Sequence, residues 1–261
     1  ETGGLTFGEL WRRSLGIAAA LQDRGVAPGD KVGLLARNHA GFVECLVAIA
    51  ATGADVVLLN TGFAGPQLAD VVANEGISVV LHDDEYASVV AGCGAVTIGE
   101  SQHQPLALTH RAVRPSRKAG AVVIMASGTT GRPKGAARSG GSASIEGIAA
   151  VLDAIPLRLG DVQVVPAPLF HAWGLSHLLL GLARCTTTVL ARRFEPEQLL
   201  RQLVAHDVNV LVVVPVMLAR LLAVPDTSSF PELRVIASSG SAIGAALTTD
   251  VLDRFGPVLY N

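Results

Sequence analysis

The sequence predicts an α/β protein whose mainly parallel sheets are flanked by helices, and three observations predict it. Half of the residues are hydrophobic while only 4% are aromatic, so the interior is built from Ala, Val, Leu and Ile, as in strands buried on both faces. Short β-branched runs alternate with longer amphipathic segments along the chain, the rhythm of βαβ units. The 261 residues suffice for one large or two modest folding units with a sizeable core.

Leu5-Thr6-Phe7 leads into an amphipathic helix from Gly8 to Arg24, stopped by Gly25 and the Ala27-Pro28-Gly29-Asp30 turn. Lys31 to Ala36, Asp55 to Asn60 and Ile77 to His82 are apolar enough for buried strands, and helical patterns from Ala40 to Ala51 and Pro66 to Asn74 separate them. Residues 99–119 lose the periodicity and carry Arg111, Arg114, Arg117 and Lys118, so they read as a solvated connection. A strand from Gly120 to Ser127 follows, then a Gly/Thr/Ser-rich loop from Gly128 to Gly141 and a helix from Ser144 to Ala154. Further strands are expected at Val162 to Val165, Thr186 to Leu190, Val208 to Val214 and Arg234 to Ser238. Helices are expected at His171 to Leu182, Pro196 to His206, Pro215 to Ala223 and Ala242 to Phe255. Residues 1–100 and 120–261 are expected to be sheet-based subdomains that pack as one unit, with no fixed-period repeat.

Charge and hydropathy exclude several roles. With 20 Lys+Arg against 22 Asp+Glu the net charge is -2, which argues against nucleic acid as a partner. Mean hydropathy is high at +0.46, yet the most apolar stretch, Val210 to Val224, is broken by Pro215 and Arg220. It falls short of the ~18 apolar residues that a spanning helix needs, leaving at most peripheral contact with a membrane. No basic, then apolar, leader opens the chain, so a cytoplasmic protein is expected, and Glu1 in place of a methionine suggests numbering that begins inside a longer protein. Cys45, Cys93 and Cys185 are isolated from one another and are read as small core residues rather than a disulfide or metal framework. His171 and His177, six apart, do not share a helical face as a metal pair would, and His103, His110 and His206 have no motif partners; no metal ligand is assigned. Trp173 beside His171 is read as core or as the wall of an apolar pocket.

The chemistry is concentrated in Ile124-Met125-Ala126-Ser127-Gly128-Thr129-Thr130-Gly131-Arg132-Pro133-Lys134-Gly135. A strand runs into glycines that let backbone N–H groups converge on an anion, hydroxyls that donate to phosphate oxygens, and a lysine that brings a movable charge. The nucleoside triphosphate loop G-x-x-x-x-G-K-[ST] is excluded: Pro133 precedes Lys134 where that pattern has glycine, and Gly135 follows where it has Ser or Thr.

Ser127 to Gly135 resembles the signature loop of the adenylate-forming superfamily, which includes acyl-CoA synthetases, peptide-synthetase adenylation domains and luciferases. Gly29-Asp30-Lys31-Val32 with Asn38 and Phe42, Pro168-Leu169-Phe170-His171, and Ser238-Ser239-Gly240-Ser241-Ala242 are similar to three further segments of that superfamily in order and spacing. The resemblance covers essentially the whole chain and is nearest to fatty acyl-CoA synthetases, by Pro133-Lys134-Gly135-Ala136 and the P-L-F-H string. It implies the AMP-binding fold and a ligase that joins a fatty or other carboxylic acid to ATP, releasing pyrophosphate, and then passes the acyl group to coenzyme A. On that resemblance Ser127, Gly128, Thr129, Thr130, Gly131 and Lys134 hold phosphate, with Thr130 and Lys134 catalytic and Mg2+ neutralising charge. His171, Ser239, Gly240, Ser241 and Ala242 line the acyl and thiol pocket; read from the residues alone, His171 satisfies a helix start and Ser241 caps a helix.

Val258-Leu259-Tyr260-Asn261 resembles the strand before the superfamily's Y-G-x-T-E motif, so the chain is expected to be an incomplete N-terminal domain lacking the small C-terminal domain. Such a piece is expected to be inactive alone and, through the open sheet edge at Tyr260, to self-associate as dimers or aggregates. Two alternatives stand beside the ligase: a non-catalytic nucleotide- or acyl-binding module, and a serine hydrolase of the amidase-signature type suggested by Ser139-Gly140-Gly141-Ser142.

Overall fold

A computed structural model describes residues 4–109, 113, 115–118, 120–126, 134–138, 152–225 and 228–261. The chain forms two compact units, Glu1–Gly140 and Gly141–Asn261.

The first unit runs α1 (Phe7–Asp23), β1 (Lys31–Leu35), α2 (Ala40–Thr52), β2 (Asp55–Leu58), α3 (Gly65–Glu75), β3 (Ile77–His82), α4 (Ala87–Val90), β4 (Val96–Gly99), α5 (Glu100–Ala107), β5 (Val122–Ala126) and β6 (Lys134–Arg138). Its six strands lie in the order β4-β3-β1-β2-β5-β6, parallel except for the antiparallel pair β5 and β6. Thr6 and Glu9 close a capping box at the start of α1, satisfying N–H groups that have no partner within the helix. Alternation along the strands puts Leu35, Val57, Val80 and Val123 into one core with Leu68 and Val72 of α3. On α2 the fully buried Glu44 accepts hydrogen bonds from Arg13 of α1 and Gln104 of α5, so a paired charge pins three helices.

The expected connection at 99–119 is corrected here. Residues 96–107 form β4 and α5, and α5 buries His103 at 3.8 Å from the Cys45 sulfur. Eight residues containing Pro105 are too few and too irregular to display a helical period. The expected loop Gly128 to Gly141 is also interrupted, because residues 134–138 return as β6. Residues 120–138, expected with the second part, therefore complete the first sheet. Arg111 and Arg114, and the expected helix Ser144 to Ala154 up to residue 151, lie outside the described residues.

The second unit runs β7 (Val162–Val164), α6 (Ala172–Ala183), β8 (Thr187–Val189), α7 (Pro196–Ala205), β9 (Val210–Val213), α8 (Pro215–Leu222), β10 (Val235–Ser238), α9 (Ala245–Phe255) and β11 (Leu259–Tyr260). Its sheet is parallel throughout, in the order β11-β10-β9-β7-β8. Val164, Leu211, Val213 and Ile236 pack with Leu199 and Leu203 of α7, Leu218 of α8 and Val251 of α9. Gln163, on the other side of β7, meets α6 instead, so helices cover both faces. Cys185 departs from the core reading: it is exposed and sits at φ 53°. No described helix is long and apolar enough to cross a membrane.

Candidate active site

In open parallel sheets ligands collect outside the carboxyl ends of the strands, where neighbouring connections leave in opposite directions. In the first sheet β5 ends at that edge. Strand β5 ends at Ala126, β6 begins at Lys134, and these two residues are paired, so the segment between them is tethered at both ends. Ser127, Gly128, Thr129, Thr130 and Gly131 lie outside the described residues, whereas the Lys134 backbone belongs to β6.

The second sheet builds its edge from the P-L-F-H segment. In the order β10-β9-β7-β8, β7 connects outward to β8 and β9 connects the other way to β10, which makes the gap between β7 and β9 the switch point. Pro168 to His171 leave β7 at this point, with Leu169 and Phe170 buried and His171 exposed as the N-cap residue of α6. The His171 side chain makes no capping bond, which corrects the reading that it satisfies the helix start. Its ring lies 4.4 Å from Phe170 between centroids, and partial burial holds its pKa below the ordinary value, leaving a neutral imidazole at pH 7.

Trp173 locks this arrangement. Its indole N–H donates to the Val213 carbonyl at 3.0 Å, tying the start of α6 to the end of β9 across the switch point. One turn on, His177 meets the Trp173 ring edge-on, 4.5 Å between centroids at 72°. His177 is fully buried, and neither ring nitrogen has a hydrogen-bond partner among the described residues. Burial, helped by the charge of Arg184, lowers its pKa to about 4. Below it Gln163, also fully buried, donates to the His177 carbonyl at 3.1 Å and the Thr188 hydroxyl at 2.9 Å, while its own carbonyl oxygen is unpartnered among the described residues.

Ser239, Gly240, Ser241 and Ala242 follow β10 at the same carboxyl edge as His171. Gly240 takes φ +98°, a conformation that favours glycine, and turns the chain so that Ser241 and Ala242 are exposed. The N-cap of α9 is Gly244, so the helix starts later than Ala242 and the expected cap at Ser241 is corrected. Ser238, just before the turn, is buried with an unpartnered hydroxyl among the described residues. The fold thus brings His171 and residues 239–242 to one sheet edge, while Lys134 belongs to the other unit. Sequence reading weighed His177 only as a metal ligand and did not single out Gln163, since a lone His and a lone Gln on apolar elements carry no pattern.

Among the described residues one three-donor cluster suits a metal by composition, His39, Asp83 and Glu100. Its donors are already engaged: His39 Nδ1 accepts from the Gly41 N–H, Nε2 faces Asp83 at 2.8 Å, and Asp83 accepts from the Arg37 N–H. A magnesium ion needs about six oxygen ligands, and this set does not supply them.

Residues 1–261 match the family described as AMP-binding enzyme. The chain belongs to this family. This AMP-binding enzyme chain is similar to a feruloyl-CoA synthase from an Amycolatopsis species, with 32% identity over 265 residues, covering 96% of this chain and 52% of the relative. It is 30% identical to the fatty acid–[acyl-carrier-protein] ligase ScoC of Streptomyces coeruleorubidus, covering 95% of this chain and 51% of the relative. Among solved structures it is similar to a double mutant of o-succinylbenzoate CoA synthetase from Bacillus subtilis bound with a product analogue. There the TM-score is 0.87 at 25% identity, covering 99% of this chain and 54% of that one. The chain thus spans about half the length of the relatives it matches.

Proposed function

We propose that this chain is the N-terminal adenylation domain of an ATP-dependent acid–thiol ligase. The observation that carries the reading is the Ser127 to Gly135 string, tethered to the carboxyl edge of a parallel sheet in a chain of the AMP-binding family. In the first step a carboxylate oxygen bonds to the α-phosphorus of ATP and the bond to pyrophosphate breaks. In the second, a thiol sulfur bonds to the acyl carbon, AMP leaves, and the thiol proton passes to solvent. Coenzyme A is the expected thiol. Backbone N–H groups and hydroxyls of Ser127 to Gly131, with the Lys134 ammonium, hold the β- and γ-phosphates and stabilise the departing pyrophosphate. His171 and residues 239–242 bound the acid and thiol pocket. Magnesium, when bound, would neutralise phosphate charge; the one candidate cluster among the described residues, His39, Asp83 and Glu100, does not fit it.

The acid is the finer question. A fatty acid is supported by the Pro133 to Ala136 and P-L-F-H strings, whereas the names of the relatives include both feruloyl and fatty acids. ATP–pyrophosphate exchange by the full-length protein with octanoate, palmitate and ferulate tests the reading. Exchange with one of these acids is the expected result, and exchange with none would return the chain to a non-catalytic binding module. Lys134→Ala is expected to raise the barrier to adenylation by about 2–4 kcal/mol. An unchanged exchange rate in that variant would remove Lys134 from the proposed role.

A further inference from the structure

The Pro168 to His171 segment is a bridge with both of its feet on β9. Pairing of β7 with β9 ends at Val164 and Leu211; further on, the Ala167 N–H donates to the Val212 carbonyl at 3.3 Å and the Trp173 indole N–H to the Val213 carbonyl at 3.0 Å. The first foot is a backbone bond that any residue but proline would make at position 167. The second needs a side chain that reaches across the gap with a donor at its tip. Between the feet the His171 N–H closes a turn on the Pro168 carbonyl at 3.1 Å, and Leu169 and Phe170 are buried.

The His171 ring has less to hold it. It is exposed and makes no capping bond at the start of α6, so its place is set by the backbone that carries it. That backbone continues directly into the first turn of α6. Gly174 lets this turn lie close under the carbonyls of Ala167 and Pro168, which sets the distance between helix and sheet. Contact of this kind leaves a helix free to rotate or slide; a directional bond does not. The indole link, two residues after His171, supplies that direction. Its ring is backed edge-on by the buried His177, 4.5 Å between centroids, so the link joins parts that do not yield. Satisfying the indole does not by itself explain the bond, because Trp173 is only half-buried and water serves such a donor almost as well.

We infer that Trp173 is a positioning residue: its indole N–H, held by the Val213 carbonyl, fixes where the His171 imidazole stands at the carboxyl edge of the second sheet, and acyl transfer depends on Trp173 through His171. This rests on the ligase reading, in which His171 bounds the acid and thiol pocket. Misplacing a group at a reacting centre by about 1 Å costs up to roughly 100-fold in rate, so a single hydrogen bond two residues away has a measurable reach.

The test is a double-mutant cycle on the full-length protein, read as acyl-CoA formation from ATP, coenzyme A and whichever of octanoate, palmitate or ferulate is used fastest. Trp173→Phe keeps an aromatic ring and removes the donor, and kcat/KM for the acid is expected to fall by at least about tenfold. His171→Ala is expected to fall at least as far. The double variant is expected to match His171→Ala to within about twofold, because the indole then has nothing left to position. Losses that multiply would overturn the inference, since a tryptophan that only supports the fold or only lines the pocket acts with or without the imidazole. Wild-type rates in Trp173→Phe, or in His171→Ala, would overturn it as well. If Trp173→Phe does not fold, the cycle is run with the benzothiophene analogue of tryptophan at position 173, which puts sulfur in place of the N–H at nearly the same shape, and the same outcomes decide. Wild-type protein that transfers none of the three acids would instead defeat the ligase reading beneath the inference.

Discussion

His177 makes the sharpest demand at the scale of single residues. Its imidazole has a pKa of about 4 in the fold against an ordinary 6.5, chiefly through burial, so the unfolded chain binds more protons between those values. Stability is then fully present above pH 6.5 and is lost as pH falls towards 4, by about 3 kcal/mol in all. Urea unfolding followed at several pH values checks this: the His177→Leu variant should show a smaller acid loss than the wild type, and parallel curves would refute the assignment. Glu44 makes the complementary case. Its carboxylate is buried against Arg13 and Gln104, and Arg13→Ala strips it of its charge partner, at an expected cost of about 3–5 kcal/mol. The double variant Arg13→Met, Glu44→Leu should recover most of that loss, because neither charge is then left buried alone. A single variant as stable as wild type by urea titration would contradict this account.

At the scale of elements, α6 is held close to its sheet by two glycines. A Cβ on Gly174 would stand 2.6 Å from the carbonyl oxygens of Ala167 and Pro168, and one on Gly181 would meet the Gln163 amide. Backbone cannot yield as a side-chain tip can, so Gly174→Ala is expected to cost about 2–3 kcal/mol or more and to shift the P-L-F-H segment. Gly8→Ala on α1, with nothing within 4 Å, serves as the control and should be neutral or stabilising. Thermal unfolding of both variants checks the pair, and equal midpoints would show that α6 can move away from the sheet. The same close approach explains why His177 and Gln163 meet: a helix spaced by larger side chains would leave room between them.

For the whole molecule, residues that the sequence singles out fall at the carboxyl edge of each unit's sheet: the segment between the paired Ala126 and Lys134 follows β5 in one, and His171 with residues 239–242 lie at that edge in the other. The proposed ligase needs no activated serine. The hydrolase alternative rests on Ser139-Gly140-Gly141-Ser142, which lies outside the described residues. Treatment of the full-length protein with a serine-directed fluorophosphonate is expected to leave it unlabelled; stoichiometric labelling at Ser139 or Ser142 would favour the hydrolase.

The sequence by itself determined the α/β class, nearly every strand and long helix, and the family. These are written in short-range patterns: β-branched runs, 3.6-residue periods, and a nine-residue string at Ser127 to Gly135 that spacing alone makes specific. It misplaced α5 and β6, one too short and proline-bearing to show a period, the other glycine- and alanine-rich, so that only pairing with β5 makes it a strand. It also placed a cap at Ser241 that a left-handed Gly240 and a later helix start moved to Gly244. Only the tertiary structure decided that β7 and β9 are neighbours whose connections diverge. That adjacency puts Trp173 on Val213 and leaves the His177 ring nitrogens and the Gln163 carbonyl oxygen buried with no hydrogen-bond partner among the described residues. Strand order and burial are set by contacts between residues distant along the chain, and no local pattern encodes which polar atom those contacts will leave unpaired.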